Sequence, residues 1–217
     1  RAPLEHIARV AEAAYRGGAR IIEAGTPPLK MHGVTNLLRV LREAAPDALI
    51  LADLKTFDMG KLEAEIAIDA GADVVSVLGK SGKAVIREAL SEVRRRDKAV
   101  FIDLMGCTPE EMDGLLKEFG REPDHVIFSL HLGVTAQMKE RGIYSKGELV
   151  KDFVRKCGRC RKAVAGGVKA GTIKDLVSQG IDIVVVGSAI YNASDPTETA
   201  KLMIREAREH YRPSVLA

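Results

Sequence analysis

Apolar positions along the chain follow two alternating rhythms. From Leu4 to Arg16 they fall at Leu4, Ile7, Ala8, Val10, Ala11 and Ala14, the three-and-four spacing of one helix face. Gly17-Gly18 stops that helix, and Ala19–Ala24 (ARIIEA) is then a short apolar run of the kind buried parallel strands make. The same alternation repeats to the end. Further helices are predicted over Val34–Ala44, Met59–Ala70, Gly82–Arg95, Pro109–Phe119, Ser145–Cys157, Gly171–Gln179 and Pro196–Tyr211. Further strands are predicted over Ala48–Leu54, Asp73–Leu78, Ala99–Leu104, Asp124–Leu130, Lys162–Ala165 and Ile181–Val186. Gly25-Thr26-Pro27-Pro28 reads as a loop, and residues 212–217 as a loose tail behind a single domain at 1–211.

Strict alternation argues for a parallel sheet with helical crossovers. The pattern holds seven strands and eight helices and begins with a helix. Seven strands leave either an open sheet or a (β/α)8 TIM barrel whose first strand is missing from this chain. The abrupt helical start favours the barrel.

In such a fold the strand ends gather at one mouth, where the active site forms. That rule brings together Glu23, Asp53 with Lys55 and Asp58, Asp103, His131, Gly166-Gly167 and Gly187-Ser188. Acid, base and acid at the end of an apolar strand do not serve packing. Three carboxylates around one lysine are costly unless a cation or hydrogen bonds offset their repulsion. Glu23 and Asp53, on neighbouring strands, suit a hard ion such as magnesium. An imidazole at the mouth, His131, can move protons near neutral pH. Glycines ending the last two strands let backbone N–H groups approach an anion, the usual phosphate position of this fold. His6, His32, His125 and His210 are assigned no role.

Composition narrows the partners. With 46% hydrophobic but only 4% aromatic residues, the core must be built from Val, Ile, Leu and Ala. The net charge of +3, dispersed among acids, excludes a nucleic-acid groove and suits a small anionic substrate. No run nears the roughly 18 apolar residues of a membrane span. Three cysteines are too few for a disulfide scaffold and fit a reducing cytosol. Cys157-Gly-Arg-Cys160, without a second pair or a nearby His, reads as structural or incidental rather than as zinc or redox chemistry.

Three segments, IIEAGTP at Ile21–Pro27, ADLKTFDMG at Ala52–Gly60 and GADVVSVLG at Gly71–Gly79, resemble the hexulose-6-phosphate synthases of the orotidine-monophosphate decarboxylase suprafamily. AGGV at Ala165–Val168 and VVGSAI at Val185–Ile190 carry the likeness to the end of the chain. The resemblance implies a magnesium-dependent aldolase joining formaldehyde to ribulose 5-phosphate, or cleaving the product. It implies Glu23 and Asp53 on the metal, Lys55 on the enediolate, and His131 as acid/base. Asp58 would reach the partner's site in an obligatory homodimer, with Gly167, Gly187 and Ser188 on the phosphate. It also implies a cytoplasmic enzyme, an Asp on the missing first strand, and in some archaeal versions a fused N-terminal domain.

Three positions depart from the pattern. Thr135 stands where an Asp is usual, and Ser188 where the last loop often carries Arg. Val134 takes the place of the Arg of the related 3-keto-L-gulonate-6-phosphate decarboxylases, which form the rival reading. A rival of another class is a non-catalytic phosphosugar-binding module.

Overall fold

The computed structural model describes residues 2–137, 139 and 142–212. Most of the expected tail, 213–217, lies outside the described residues. The chain runs α1 (Leu4–Arg16), β1 (Ile21–Ala24), α2 (Thr26–His32), α3 (Val34–Ala44), β2 (Leu49–Thr56), α4 (Gly60–Asp69), β3 (Val74–Leu78) and α5 (Lys83–Arg95). It continues through β4 (Ala99–Asp103), α6 (Pro109–Phe119), β5 (Val126–His131), α7 (Val134–Gln137), α8 (Gly147–Cys157) and β6 (Arg161–Ala165). The last elements are α9 (Ile173–Val177), β7 (Ile183–Val185), α10 (Ser188–Tyr191) and α11 (Pro196–His210).

The strands form one curled, seven-stranded parallel sheet in sequential order, with β1 and β7 at its edges. Helices cover the convex face. There Leu37, Leu38 and Leu41 of α3, Ile86 and Val93 of α5, and Leu115 and Phe119 of α6 pack against Ile50, Val75, Ile102 and Phe128. The concave face holds a second, smaller cluster of Leu51, Val74, Phe101, Ile127 and Ala163. Side chains alternate across a strand, so two residues further along each strand the same face carries Asp53, Ser76, Asp103, Ser129 and Ala165. The apolar layer thus forms a floor beneath a polar one.

Helix ends follow local chemistry. Thr108 and Glu111 form a capping box ahead of Pro109 at the start of α6, and Asp195 caps α11. Gly60 opens α4 where a Cβ would overlap the Val85 carbonyl, so α4 and α5 lie close together. Prolines also explain a correction. The Thr26-Pro27-Pro28 stretch is not a loop but the first turn of α2, where proline's missing N–H costs nothing.

Shorter elements depart from expectation too. The predicted Gly171–Gln179 helix is reduced to α9, because Gly171 lies at φ 84° and Thr172 precedes the helix. α7 and α10, four residues each, follow His131 and Gly187. Cys157 and Cys160, expected as thiols, are joined by a disulfide at the α8–β6 junction. The buried Lys162 Nζ sits on the carbonyls of Gly158 and Cys160 at 3.2 and 2.9 Å.

Candidate active site

β2 does not run straight to its end. Ala52 pairs with Val75 and Thr56 with Val77, so Asp53–Lys55 bulge out of the ladder. Bulges re-aim side chains. Lys55 takes φ 50°, a left-handed conformation that costs a non-glycine residue on the order of 1 kcal/mol or more. The Lys55 amide donates to Ser76 Oγ at 2.8 Å, and Ser76 Oγ donates to Asp53 Oδ1 at 2.8 Å. Thr26 Oγ1 at the start of α2 closes the other side, 2.8 Å from Asp53 Oδ2. Both Asp53 oxygens are therefore fixed.

The bulge points the Lys55 ammonium between two acids. Its Nζ donates to Asp53 Oδ1 at 3.1 Å and to Asp103 Oδ2 at 2.7 Å. Asp103 is fully buried. Its Oδ2 also lies 2.7 Å from His131 Nδ1, and its Oδ1 accepts the Met105 amide at 3.0 Å. Burial pushes the Asp103 carboxyl up, but His131 and Lys55 outweigh it and hold it below the usual carboxylate range. Burial likewise works against the Lys55 charge, and Asp103 and Asp53 reverse that, raising its pKa. The lysine stays charged.

Glu23 completes the group from the neighbouring strand. Crowding at the mouth, then repulsion from Asp53, push its carboxyl up to about 7. Its side chain is nevertheless exposed on the open side of the sheet. Water arriving there tempers the first effect and leaves the second, so the upward direction stands. Among the described residues Glu23 has no hydrogen-bond partner. An unpaired carboxylate beside a second one fits a divalent cation, which would relieve that repulsion. No three His, Cys, Asp or Glu side chains converge as a fuller ligand set among the described residues. Magnesium does not need one, since it commonly takes one or two carboxylates and keeps several waters.

Gly166 and Gly167 follow β6 at φ 114° and 71°. A Cβ on Gly166 would overlap the Leu132 carbonyl, so the position needs glycine on both counts. Gly187 and Ser188 stand after β7, at the entry to α10. Among the described residues, the amides of Gly167 and Ser188 donate to no protein acceptor.

Asp53, Lys55 and His131 are thus brought together, with Glu23 beside them and the glycine loops along the same rim. Asp58 is not with them: it is exposed and accepts the Met59 amide at 2.8 Å. Three partners had no assigned role in the sequence reading. Asp103 was visible as a strand-end acid, and Ser76 as the one polar residue in VVSVL; Thr26 carried no signal. The other histidines are engaged elsewhere, His32 with Ala2 O, His125 with Lys98 O, His210 with Glu206 O and His6 edge-on against the Tyr191 ring.

Known proteins resemble the chain over most of its length. The profile of the family described as orotidine 5'-phosphate decarboxylase / HUMPS matches residues 3–203. A 3-hexulose-6-phosphate synthase from Mycobacterium gastri is 35% identical over 190 residues, covering 83% of this chain and 84% of that protein. A bifunctional enzyme Fae/Hps from Methanoculleus marisnigri is 34% identical over 203 residues, 93% of this chain but 49% of that protein. The crystal structure of 3-hexulose-6-phosphate synthase from Salmonella typhimurium superposes with a TM-score of 0.78 at 31% identity, over 88% of this chain and 87% of that one. With its parallel sheet, its Asp53-x-Lys55-x-x-Asp58 bulge and these relatives, the chain belongs to the orotidine 5'-phosphate decarboxylase / HUMPS family.

Proposed function

We propose that the chain is an aldolase that condenses formaldehyde with ribulose 5-phosphate to a 3-hexulose 6-phosphate, or cleaves that product. The observation that carries the reading is the Asp53–Lys55–Asp103–His131 cluster, in a chain about a third identical to 3-hexulose-6-phosphate synthases.

Glu23 and Asp53 would hold magnesium. When bound, the ion supplies positive charge beside the substrate's ketone and neighbouring hydroxyl oxygens, lowering the cost of an enediolate. The chain's own groups do the rest. Lys55, kept charged by its two acids, donates a hydrogen bond to the oxyanion that develops as a proton leaves carbon 1. Asp103 accepts the hydrogen bond of His131 Nδ1–H, so the unprotonated Nε2 faces the mouth and takes the proton that leaves carbon 1. As carbon 1 attacks formaldehyde, the new alkoxide takes a proton from that nitrogen. Gly166, Gly167, Gly187 and Ser188 offer the phosphate backbone donors and room.

An obligatory homodimer with shared sites belongs to the same reading. Asp58 faces away from its own cluster, and Phe57, Met59, Leu62 and Ile66 around it are 61%, 55%, 44% and 45% exposed. Such an apolar patch rimmed by charge is what a subunit interface covers. An eighth strand between the β1 and β7 edges would close the barrel. A fused N-terminal domain is in keeping with the longer Methanoculleus relative, of which this chain spans about half. No helix among the described residues is long and apolar enough to cross a membrane. A cytoplasmic location suits a phosphorylated substrate, although a reducing compartment would open the Cys157–Cys160 pair.

The 3-keto-L-gulonate-6-phosphate decarboxylase reading is weaker, because the exposed Val134 offers no donor where that group carries Arg. A phosphosugar-binding module would not need the half-buried Lys55 held between two acids. The test is product identification by mass spectrometry after mixing protein, magnesium, ribulose 5-phosphate and formaldehyde. A six-carbon ketose phosphate is expected; its absence under all conditions removes the aldolase reading.

A further inference from the structure

The glycine loops present N–H groups but no side-chain cation, and a phosphate monoester carries close to two negative charges near neutral pH. Lys169, three residues after Gly166, is the cation that the fold sets beside them. Its backbone is locked by Thr172, whose Oγ1 accepts the Lys169 amide at 3.2 Å and donates to the Lys169 carbonyl at 2.7 Å. Its ammonium rests 6.0 Å from the centre of the Tyr144 ring. Tyr144 belongs to a turn laid on the glycine loop: the Ile143 amide donates to the Gly166 carbonyl at 2.9 Å. At Gly142 a Cβ would touch both the Tyr144 ring, at 2.8 Å, and the Gly167 carbonyl, at 3.1 Å. Loop, ring and ammonium are consecutive neighbours.

Among the described residues Lys169 also lacks a counter-charge. Glu206 of α11, which reaches the turn after Lys169, is engaged by the amides of Gly171 and Lys174 at 2.7 and 2.9 Å. Among the described residues no carboxylate pairs with Lys169, whose side chain is exposed. A cation over an aromatic face keeps most of its capacity for an anion.

We propose that Lys169 is the cationic contact for the substrate's phosphate, with Tyr144 as the positioning residue that holds its ammonium at the rim. The phosphate then takes two kinds of donor: fixed amides from Gly167 and Ser188, and one mobile charge from Lys169. This rests on the phosphosugar reading above. It assigns specificity for the phosphate to a side chain outside the Asp53–Lys55–Asp103–His131 cluster.

The test measures binding of ribulose 5-phosphate, unphosphorylated ribulose and inorganic phosphate to the parent chain, Lys169→Met, Lys169→Arg and Tyr144→Leu by calorimetry. Lys169→Met, which keeps the stem, should weaken ribulose 5-phosphate and inorganic phosphate by about tenfold, one charged hydrogen bond. It should leave ribulose unchanged, and Lys169→Arg should recover most of the loss. Tyr144→Leu should weaken the same two ligands by a smaller factor. In turnover, the Lys169→Met loss should fall on KM for the phosphosugar rather than on kcat. If the parent prefers ribulose 5-phosphate over ribulose and Lys169→Met keeps that full preference, the role of Lys169 is overturned. If the parent shows no preference, the phosphosugar reading fails, and the assignment with it.

Discussion

Asp103 and His131 meet through one oxygen and one nitrogen, Oδ2 and Nδ1, 2.7 Å apart at the ends of adjacent strands β4 and β5. The same Oδ2 takes the Lys55 ammonium at 2.7 Å. One buried carboxylate therefore fixes the imidazole and holds the lysine charged. Asp103→Asn, which disables the acid/base His131, should lower kcat/KM by roughly a hundredfold or more and destabilise the fold by about 3 kcal/mol, as breaking a buried pair does. Paired kinetics and urea unfolding check both. An Asn variant with parental turnover would remove Asp103 from the mechanism.

Lys55→Ala removes the donor aimed between Asp53 and Asp103. The expected loss in kcat is about a hundred- to a thousandfold, the size of losing one preorganised oxyanion donor, with substrate affinity falling less. Unchanged turnover would favour a binding module.

Much of this was legible in the chain itself. The seven strands are so rich in Val, Ile and Leu, and so evenly spaced, that their order and parallel pairing follow. The alternation of a strand put Glu23, Asp53, Asp103 and His131 on one face. What was not legible is the bulge at Asp53–Lys55, because no local residue announces it; Ser76 on the next strand holds it. Nor was α2, since Thr-Pro-Pro serves a loop and a helix start equally well. The role of Asp103 depends on two partners 48 and 28 residues away, and no short motif could carry it.

Glu23 gives the pH dependence. Its carboxyl lies near 4.5 when unperturbed and is raised in the fold, so above the unperturbed value there is a window in which the unfolded chain has released a proton that the native chain retains. Stability of the metal-free protein therefore falls as pH rises through that window. Glu23→Gln should abolish this loss, so the variant gains on the parent from pH 5 to pH 8 in urea unfolding. Magnesium should bind the parent more tightly at pH 8 than at pH 6, with proton release, and chelation should stop turnover until magnesium is restored. Full activity in chelator would contradict the metal role of Glu23 and Asp53.

Asp58 and His131 test the shared site. Asp58→Ala and His131→Ala, each inactive alone, should regain up to about a quarter of parental activity when mixed, because one site in a statistical heterodimer is intact. No recovery despite subunit exchange verified by mass spectrometry would confine the site to one subunit.

The most direct measurement is the rate of formaldehyde loss with ribulose 5-phosphate and magnesium, each omitted in turn, beside carbon dioxide release from 3-keto-L-gulonate 6-phosphate. The aldolase account predicts formaldehyde consumption that requires all three components, and no carbon dioxide. Carbon dioxide release without formaldehyde consumption, or silence in both, would contradict it.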